Sequence, residues 1–432
     1  MKQQKLIGDG LLFPFVLITS LFFLWGLANN MTDTLLAAFK RIMSMSDSKT
    51  ALIQVVCYGA GYGLLALPAA IFIKKYTYKA GVLLGLGLYA LGAILFYPAK
   101  LTAQYGWFLA AIWVLFSGLS ILETAANPYI ITMGPEETGT RRLNLAQSFN
   151  PIGSITGIFL SQLFILSKLN RASAAERAMM SPEQLAKIQE HELNAITMTY
   201  VGVGLVLIII WFLIALNKKM PKASEGNTNI DLITTFKRLI TKKHYVWGVI
   251  AQFFYVGAQI GVWSFTIRYT MQELQLEKAI LPPGTTPEQI AARYYLAALV
   301  VFTLSRFVCT MLMKFIKPAG LLGILASIGI LLTSIVAFGG GKAGVYALVG
   351  ISGTMSLMFP TIFGLAVKGL GEDTKIAGSG LIMAILGGAV MTQIQGIVSD
   401  LTHSINISYV VPLLCFIVIA FYSYIAQKYE AE

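Results

Sequence analysis

Charge is what this sequence has least of. Asp, Glu, Lys and Arg make up 12% of its 432 residues, whereas hydrophobic residues make up 56%. That is about half the charged fraction usual in soluble domains, too little to clothe a soluble surface of this size. Cysteine is also scarce. Cys57, Cys309 and Cys415 all fall inside apolar runs without ligand-like spacing, and read as small core residues. The three histidines, His191, His244 and His403, fall at loops or helix ends, which argues against a metal site and a histidine proton relay. There is no Walker lysine, no catalytic triad and no metal-ligand spacing, so the residue pattern points neither to an enzyme nor to a bound cofactor.

What the sequence has instead is long apolar runs. Runs of 18 or more residues recur, each long enough to cross a ~30 Å hydrocarbon layer as a helix. The short alternating segments of a β-barrel are missing. The chain therefore reads as an all-α polytopic membrane protein. Breaks at charges and Pro/Gly clusters predict twelve transmembrane helices, over 11–39, 50–73, 78–99, 105–133, 142–167, 194–217, 244–272, 292–315, 319–339, 343–369, 374–401 and 408–427. The first run is too long for a signal-peptide core and has no evident cleavage site. Between the fifth and sixth spans, "MSPEQLAKIQEHEL" reads as a short surface helix.

Twelve spans put both termini on one side. With that side in the cytoplasm, its segments hold nearly twice as many Lys and Arg as the outer ones, which supports cytoplasmic termini. The net charge of +12 is then mostly topology signal, and nucleic-acid binding is not expected. The long polar stretch before His244 divides the chain six plus six: a first bundle over 1–217, a cytoplasmic linker over 218–243 and a second bundle over 244–432. Two weak matches suggest that the halves repeat. "FFLWG" at Phe22 recurs as "FFYVG" at Phe253, and "NPYI" around Pro128 as "FPTI" around Pro360. Such a parallel repeat of six helices occurs in transporters whose halves rock about a central site. "GAGYG" at Gly59–Gly63 and "GVLLGLG" at Gly81–Gly87 follow no strand and read as close helix packing rather than nucleotide loops.

Three acids fall within the apolar runs. Asp400 lies at the end of span eleven and reads as an interface residue. Asp33 and Glu123 are deeper, with Asp33 in the outer part of span one and Glu123 near the middle of span four. An ionised group near mid-membrane costs at least ~2.5 kcal/mol and marks a cavity or an ion path. The candidate cations for an ion pair, Arg268 and Arg306, lie in the other half. A carboxyl group that passes between a wet and a drier setting can take up and release a proton. Neutral polar residues cluster around the two acids: Asn29, Asn30 and Thr32; Thr124 and Asn127; Asn144, Gln147, Ser148 and Asn150; Gln252 and Gln259, with Trp263 one turn on. Amides give and accept hydrogen bonds, which suits a polyhydroxylated ligand, and a ring suits the apolar face of a sugar. The counterparts of Glu123 and Asp33 in the second half are Met355 and Phe265, so the acids belong to the first half alone.

The segments "LWGLANNMTD", "LETAANPYI", "GPEETGTRRLNLAQSFN", "AQFFYVGAQIGVWSFTIRY" and "FPTIFGLAVKGLGEDTK" resemble the fucose–galactose–glucose:proton symporter family of the major facilitator superfamily, over nearly the whole chain. The resemblance implies two six-helix pseudo-repeat bundles and inward movement of a monosaccharide with a co-transported proton. It also implies a multi-pass protein of the bacterial inner membrane, expected to work as a monomer in the lipid bilayer. The family's essential carboxylates fall on Asp33 and Glu123. Its sugar-contacting amides fall on Asn30, Gln147 and Asn150, and the Gln259–Trp263 segment matches well. The implied sugar is L-fucose, with glucose or galactose as the alternative. One departure bears on that choice. The family's fucose carrier reads Gln-Tyr-Pro in span ten, where this chain has Met358, Phe359 and Pro360.

Overall fold

The computed structural model describes residues 5–43, 53, 55–170, 172, 176–177, 179–221, 231–276, 278 and 287–431, and among these the regular structure is helical throughout. In chain order the helices are α1 (Leu12–Ile42), α2 (Leu64–Lys75), α3 (Tyr78–Ile94), α4 (Phe96–Thr102), α5 (Tyr105–Ile131), α6 (Gly139–Gln147), α7 (Phe149–Leu160), α8 (Pro182–Leu216), α9 (Leu232–Thr241), α10 (Lys243–Glu273), α11 (Pro287–Leu312), α12 (Pro318–Phe338), α13 (Gly341–Met355), α14 (Met358–Val367), α15 (Thr374–Met383), α16 (Gly387–Thr402), α17 (Ile405–Ser408) and α18 (Val410–Ala431). Eleven segments of the described residues are long and apolar enough to cross a membrane. The expected second span lies partly outside the described residues. Its described part is π-helical over Val55–Gly63 and runs on into α2.

The chain forms two compact units. One holds residues 7–134 and 149–230, the other residues 1–6, 135–148 and 231–432. In the first, glycines set which helices touch. A Cβ on Gly85 of α3 would lie 2.8 Å from the Gly118 carbonyl and from the Leu122 nitrogen of α5. A Cβ on Gly153 of α7 would strike the Phe23 carbonyl of α1, and one on Gly26 of α1 would strike the Asn150 carbonyl. Backbones that close need positions without side chains, which is the packing use read for "GVLLGLG". Lys79, at the start of α3, donates to the carbonyls of Ala215 and Asn217 at 2.9 Å each. A cation there offsets the negative end of the α8 dipole.

Span six corrects the sequence reading. The expected surface helix and the span are one continuous helix, α8, which places His191 inside a helix. Ser181 and Gln184 form a capping box with Pro182 in the first turn, and no proline or glycine interrupts the chain before Tyr200. Arg177 and Glu192, each 1% exposed, hold the preceding loop against it through a two-pronged ion pair at 2.5 and 3.0 Å. The outward face of α8 carries Leu205, Ile209 and Phe212, exposed as a hydrocarbon-facing stripe would be.

The second unit repeats the glycine device. Gly387 of α16 meets the Phe253 carbonyl of α10, and Gly257 of α10 lies against Gly387 and Met391. Gly26 and Gly257 are the last residues of the two matched motifs "FFLWG" and "FFYVG". Each therefore marks a close helix crossing within its own unit, which supplies a physical reason for that repeat.

Gly153→Ala and Gly387→Ala are each expected to destabilise the protein by about 1–3 kcal/mol. Gly202→Ala, with open space around its Cβ, is expected to be neutral. Thermal unfolding in detergent reads all three.

Candidate functional site

Glu123 sits on α5 and is 2% exposed. Its Oε1 accepts a hydrogen bond from the Tyr62 hydroxyl at 2.5 Å, and its Oε2 has no hydrogen-bond partner among the described residues. Tyr62 is delivered by the π-helical segment Val55–Gly63, where the wider turn changes the direction in which side chains leave the helix. Gly61 lets that segment approach α5, since a Cβ there would lie 3.0 Å from the Phe116 Cβ. The Tyr62 ring meets the edge of Phe116, with centroids 6.3 Å apart. One turn along α5, the fully buried Asn127 donates its amide to the Glu123 carbonyl at 2.9 Å. Just beyond it, Pro128 cannot supply an N–H to the Thr124 carbonyl. A buried carboxylate holding one hydrogen bond is poorly stabilised as an anion, whereas a neutral acid fits the same place at little cost.

Asn30 and Asn150 come together along α1. Asn30 donates to the Gly26 carbonyl and Asn150, from α7, to the Phe22 carbonyl, each at 3.3 Å. Those two carbonyls are one helical turn apart on the same face. Asp33 is also on α1, but its side chain lies outside the described residues.

In the other unit, Gln259 and Trp263 are half-buried on α10. The Trp263 Nε1 donates to Ser352 Oγ at 3.1 Å, and its ring meets the edge of Phe302, with centroids 5.0 Å apart. The Arg306 guanidinium lies over that Phe302 ring, 4.6 Å from its centroid. Arg306 is 3% exposed and spends its donors on two backbone carbonyls, those of Gln147 and Ser356.

Proline explains why those carbonyls are available. The sequence reading makes span five continuous over 142–167, but it breaks into α6 and α7 at Ser148. Pro151, in the first turn of α7, has no N–H for the Gln147 carbonyl four residues back. Pro360, in the first turn of α14, likewise frees the Ser356 carbonyl. One buried cation takes up both, and it lies at the negative ends of α6 and α13. Gln147, a predicted sugar-contacting amide, is thereby tied to the break in span ten that precedes Met358 and Phe359. Asn144, also on α6, donates to Thr361 Oγ1 of α14 at 3.0 Å. Gln252, two turns along α10 from Gln259, is fully buried, and neither of its amide atoms has a partner among the described residues.

Tyr62 and Ser352 do not stand out in the sequence, and Arg306 enters it only as a cation available to an acid. The signal for Arg306 is the pair Pro151 and Pro360, each of which strips a donor from a buried carbonyl. Tyr62 carries none beyond a hydroxyl inside a glycine-rich run.

Arg306→Met leaves two buried carbonyls unpaired and is expected to cost about 1–3 kcal/mol for each. In a Pro360→Ala background an N–H is restored to the Ser356 carbonyl, so the same substitution should cost less. A double-mutant cycle by thermal unfolding should show coupling of about 1 kcal/mol or more.

A profile of the Major Facilitator Superfamily matches residues 17–392. The L-fucose-proton symporter of Haemophilus influenzae is 42% identical over 99% of both chains. That of Escherichia coli is 39% identical over 94% of this chain and 91% of its own. A glucose/galactose transporter of Brucella abortus is 31% identical over 99% of this chain and 96% of its own. Among solved structures, the Escherichia coli fucose:proton symporter superposes with a TM-score of 0.87 at 38% identity, covering 96% of this chain and 98% of that one. A proton:xylose symporter, 12% identical with a TM-score of 0.62 over 95% of each chain, shares the fold. The chain belongs to the Major Facilitator Superfamily and, within it, to the family that holds these curated symporters.

Proposed function

We propose that the protein imports L-fucose together with a proton by alternating access. The relatives with the highest identities above are L-fucose-proton symporters, and the glucose/galactose transporters stand further off. The observation that carries the coupling is Glu123: a carboxyl 2% exposed, held by one hydroxyl, with its second oxygen unpartnered among the described residues. Such a group is stable when neutral and unstable when ionised in place. It gives up its proton only where water reaches it, which is the requirement for coupling proton movement to a change of state. Asp33 assists nearer the outside, by binding sugar or relaying the proton.

The sugar is held by amides. Asn30, Asn127 and Asn150, with Gln147 and Gln259, offer donors and acceptors to its hydroxyls, and Trp263 offers a flat apolar surface. The Ser352 hydroxyl orients the indole by accepting its N–H. The halves, 1–217 and 244–432, move about the linker 218–243, and a single chain suffices. Both termini lie in the cytoplasm of a bacterial inner membrane. No cofactor takes part, and the sugar leaves the protein chemically unchanged.

A glucose or galactose carrier is the second reading, because Met358 and Phe359 depart from the Gln-Tyr pair of the family's fucose carrier. Both are buried beside Pro360 and supply neither a hydroxyl nor an amide to a sugar. An unmatched sugar hydroxyl in a dry site costs about 1–3 kcal/mol, enough to change which sugar is preferred.

Uptake into proteoliposomes under an imposed pH gradient tests the proposal, with fucose, galactose, glucose and arabinose as competitors. Accumulation that requires the gradient and is competed best by L-fucose is expected. Equal accumulation without a gradient would remove proton coupling, and better competition by glucose would establish the second reading. Phe359→Tyr, which returns a hydroxyl to the site, is expected to lower the half-saturating L-fucose concentration by about tenfold, the equivalent of one hydrogen bond.

A further inference from the structure

The linker contains a helix that neither the transport site nor the membrane spans account for. α9 is capped at its start by Asp231, whose Oδ1 accepts from the Thr234 N–H at 3.1 Å, and at its end by Lys242. At 100° per residue its faces separate cleanly. Thr235 and Leu239 are 1% exposed and turn toward the protein. Ile233 (70% exposed), Phe236 (39%) and Ile240 (70%) share an adjoining face and have no protein cover. Lys237 borders that face on the side away from the protein, with Thr234, Arg238 and Thr241 beyond it. Lys242 and Lys243 follow at the C-terminal end, and all three lysines are exposed.

Three further observations fix the setting of this face. α10, long and apolar enough to span a membrane, begins at Lys243, directly after α9. Trp247, one turn into α10, packs edge-on against Phe421, and aromatic rings of this kind mark the level of the lipid headgroups. Arg238 grips Asp373 through two hydrogen bonds, at 2.9 and 2.7 Å, which joins α9 to the turn after α14. An apolar edge, a lysine border and a position at the headgroup level are the features of a helix lying in a membrane surface.

The structure assigns α9 as an in-plane helix that binds anionic phospholipid headgroups of the inner leaflet, with Ile233, Phe236 and Ile240 in the acyl boundary and Lys237, Lys242 and Lys243 on the phosphates. The inner-leaflet assignment rests on the cytoplasmic placement of the linker. The occupant is chosen by charge complementarity: three exposed lysines flank the apolar edge, and of the nearby acids Asp373 is paired with Arg238, Asp231 accepts from Thr234 at the helix start, and Glu372 lies beside Arg238 rather than the lysines. Because α9 is fastened to Asp373, the residue that caps the start of α15, lipid binding here bears on the turn between α14 and α15.

The test uses the full-length protein with Ile240→Cys labelled by an environment-sensitive fluorophore. Cys57, Cys309 and Cys415 are buried, so the new thiol is the one that reacts. The labelled protein is placed in phosphatidylcholine bilayers containing a small amount of nitroxide-bearing phosphatidylglycerol or nitroxide-bearing phosphatidylcholine. Stronger quenching by the phosphatidylglycerol probe is expected. Its preference should fall by about fivefold per lysine in Lys237→Gln, Lys242→Gln and Lys243→Gln combined, the equivalent of ~1 kcal/mol for each basic residue at an anionic surface. The corresponding Lys→Arg combination should retain the preference, and high salt should erase it in the unsubstituted helix. Equal quenching by the two lipids, an unchanged preference in the Gln combination, or quenching by an aqueous nitroxide alone would overturn the assignment. The readout involves no sugar, so its failure is distinct from a failure of the transport proposal.

Discussion

The hydrogen bond from Tyr62 to Glu123 is the interaction on which the rest depends. It holds a carboxyl that lies in the middle of a spanning helix and is almost completely shielded, and it is the one hydrogen bond to that carboxyl among the described residues. Everything near it keeps that situation unaltered. The glycines of α3 and α5 bring the two backbones into close contact. The π-helical turn presents the tyrosine, and Asn127 spends its amide on the backbone of α5 rather than on the carboxyl. In the transport cycle proposed, this carboxyl is the group that takes up and releases the proton.

Arg306 plays the complementary part in the other unit. Two prolines release two carbonyls, and a single buried guanidinium recovers both. The breaks that end α6 and α13 are therefore not loose joints. Each is pinned to the same cation, which in turn stacks on Phe302 beside Trp263. In the chemistry proposed, a sugar that engages Gln147 acts on a residue whose own carbonyl is part of that clamp. Binding and the geometry of span ten are then joined through a few bonds rather than through the whole bundle.

Much of this is legible in the residues alone, because the membrane makes polar groups conspicuous. Glu123 stands out by the cost of its burial, and the repeated Phe-Phe…Gly motif marks in the sequence the close crossings at Gly26 and Gly257. Other features depend on contacts that a linear pattern does not encode. Tyr62 meets Glu123 across 61 positions and only through a π-helical register. Arg306 finds carbonyls from two separate spans. The loop before α8 is held by the Arg177–Glu192 pair, which no local propensity announces. Pro151 is visible, yet span five still reads as continuous, because a proline in the first turn of a helix resembles an ordinary residue in an apolar run.

The account stands on Glu123 changing its protonation state during transport. Infrared difference spectroscopy on the protein in lipid, comparing sugar-free and sugar-bound states across a range of pH, observes this directly. The account predicts a carbonyl band of a protonated carboxylic acid that depends on sugar and pH and is missing in Glu123→Gln. A spectrum in which that band is unchanged by sugar and pH, or persists in Glu123→Gln, would contradict it.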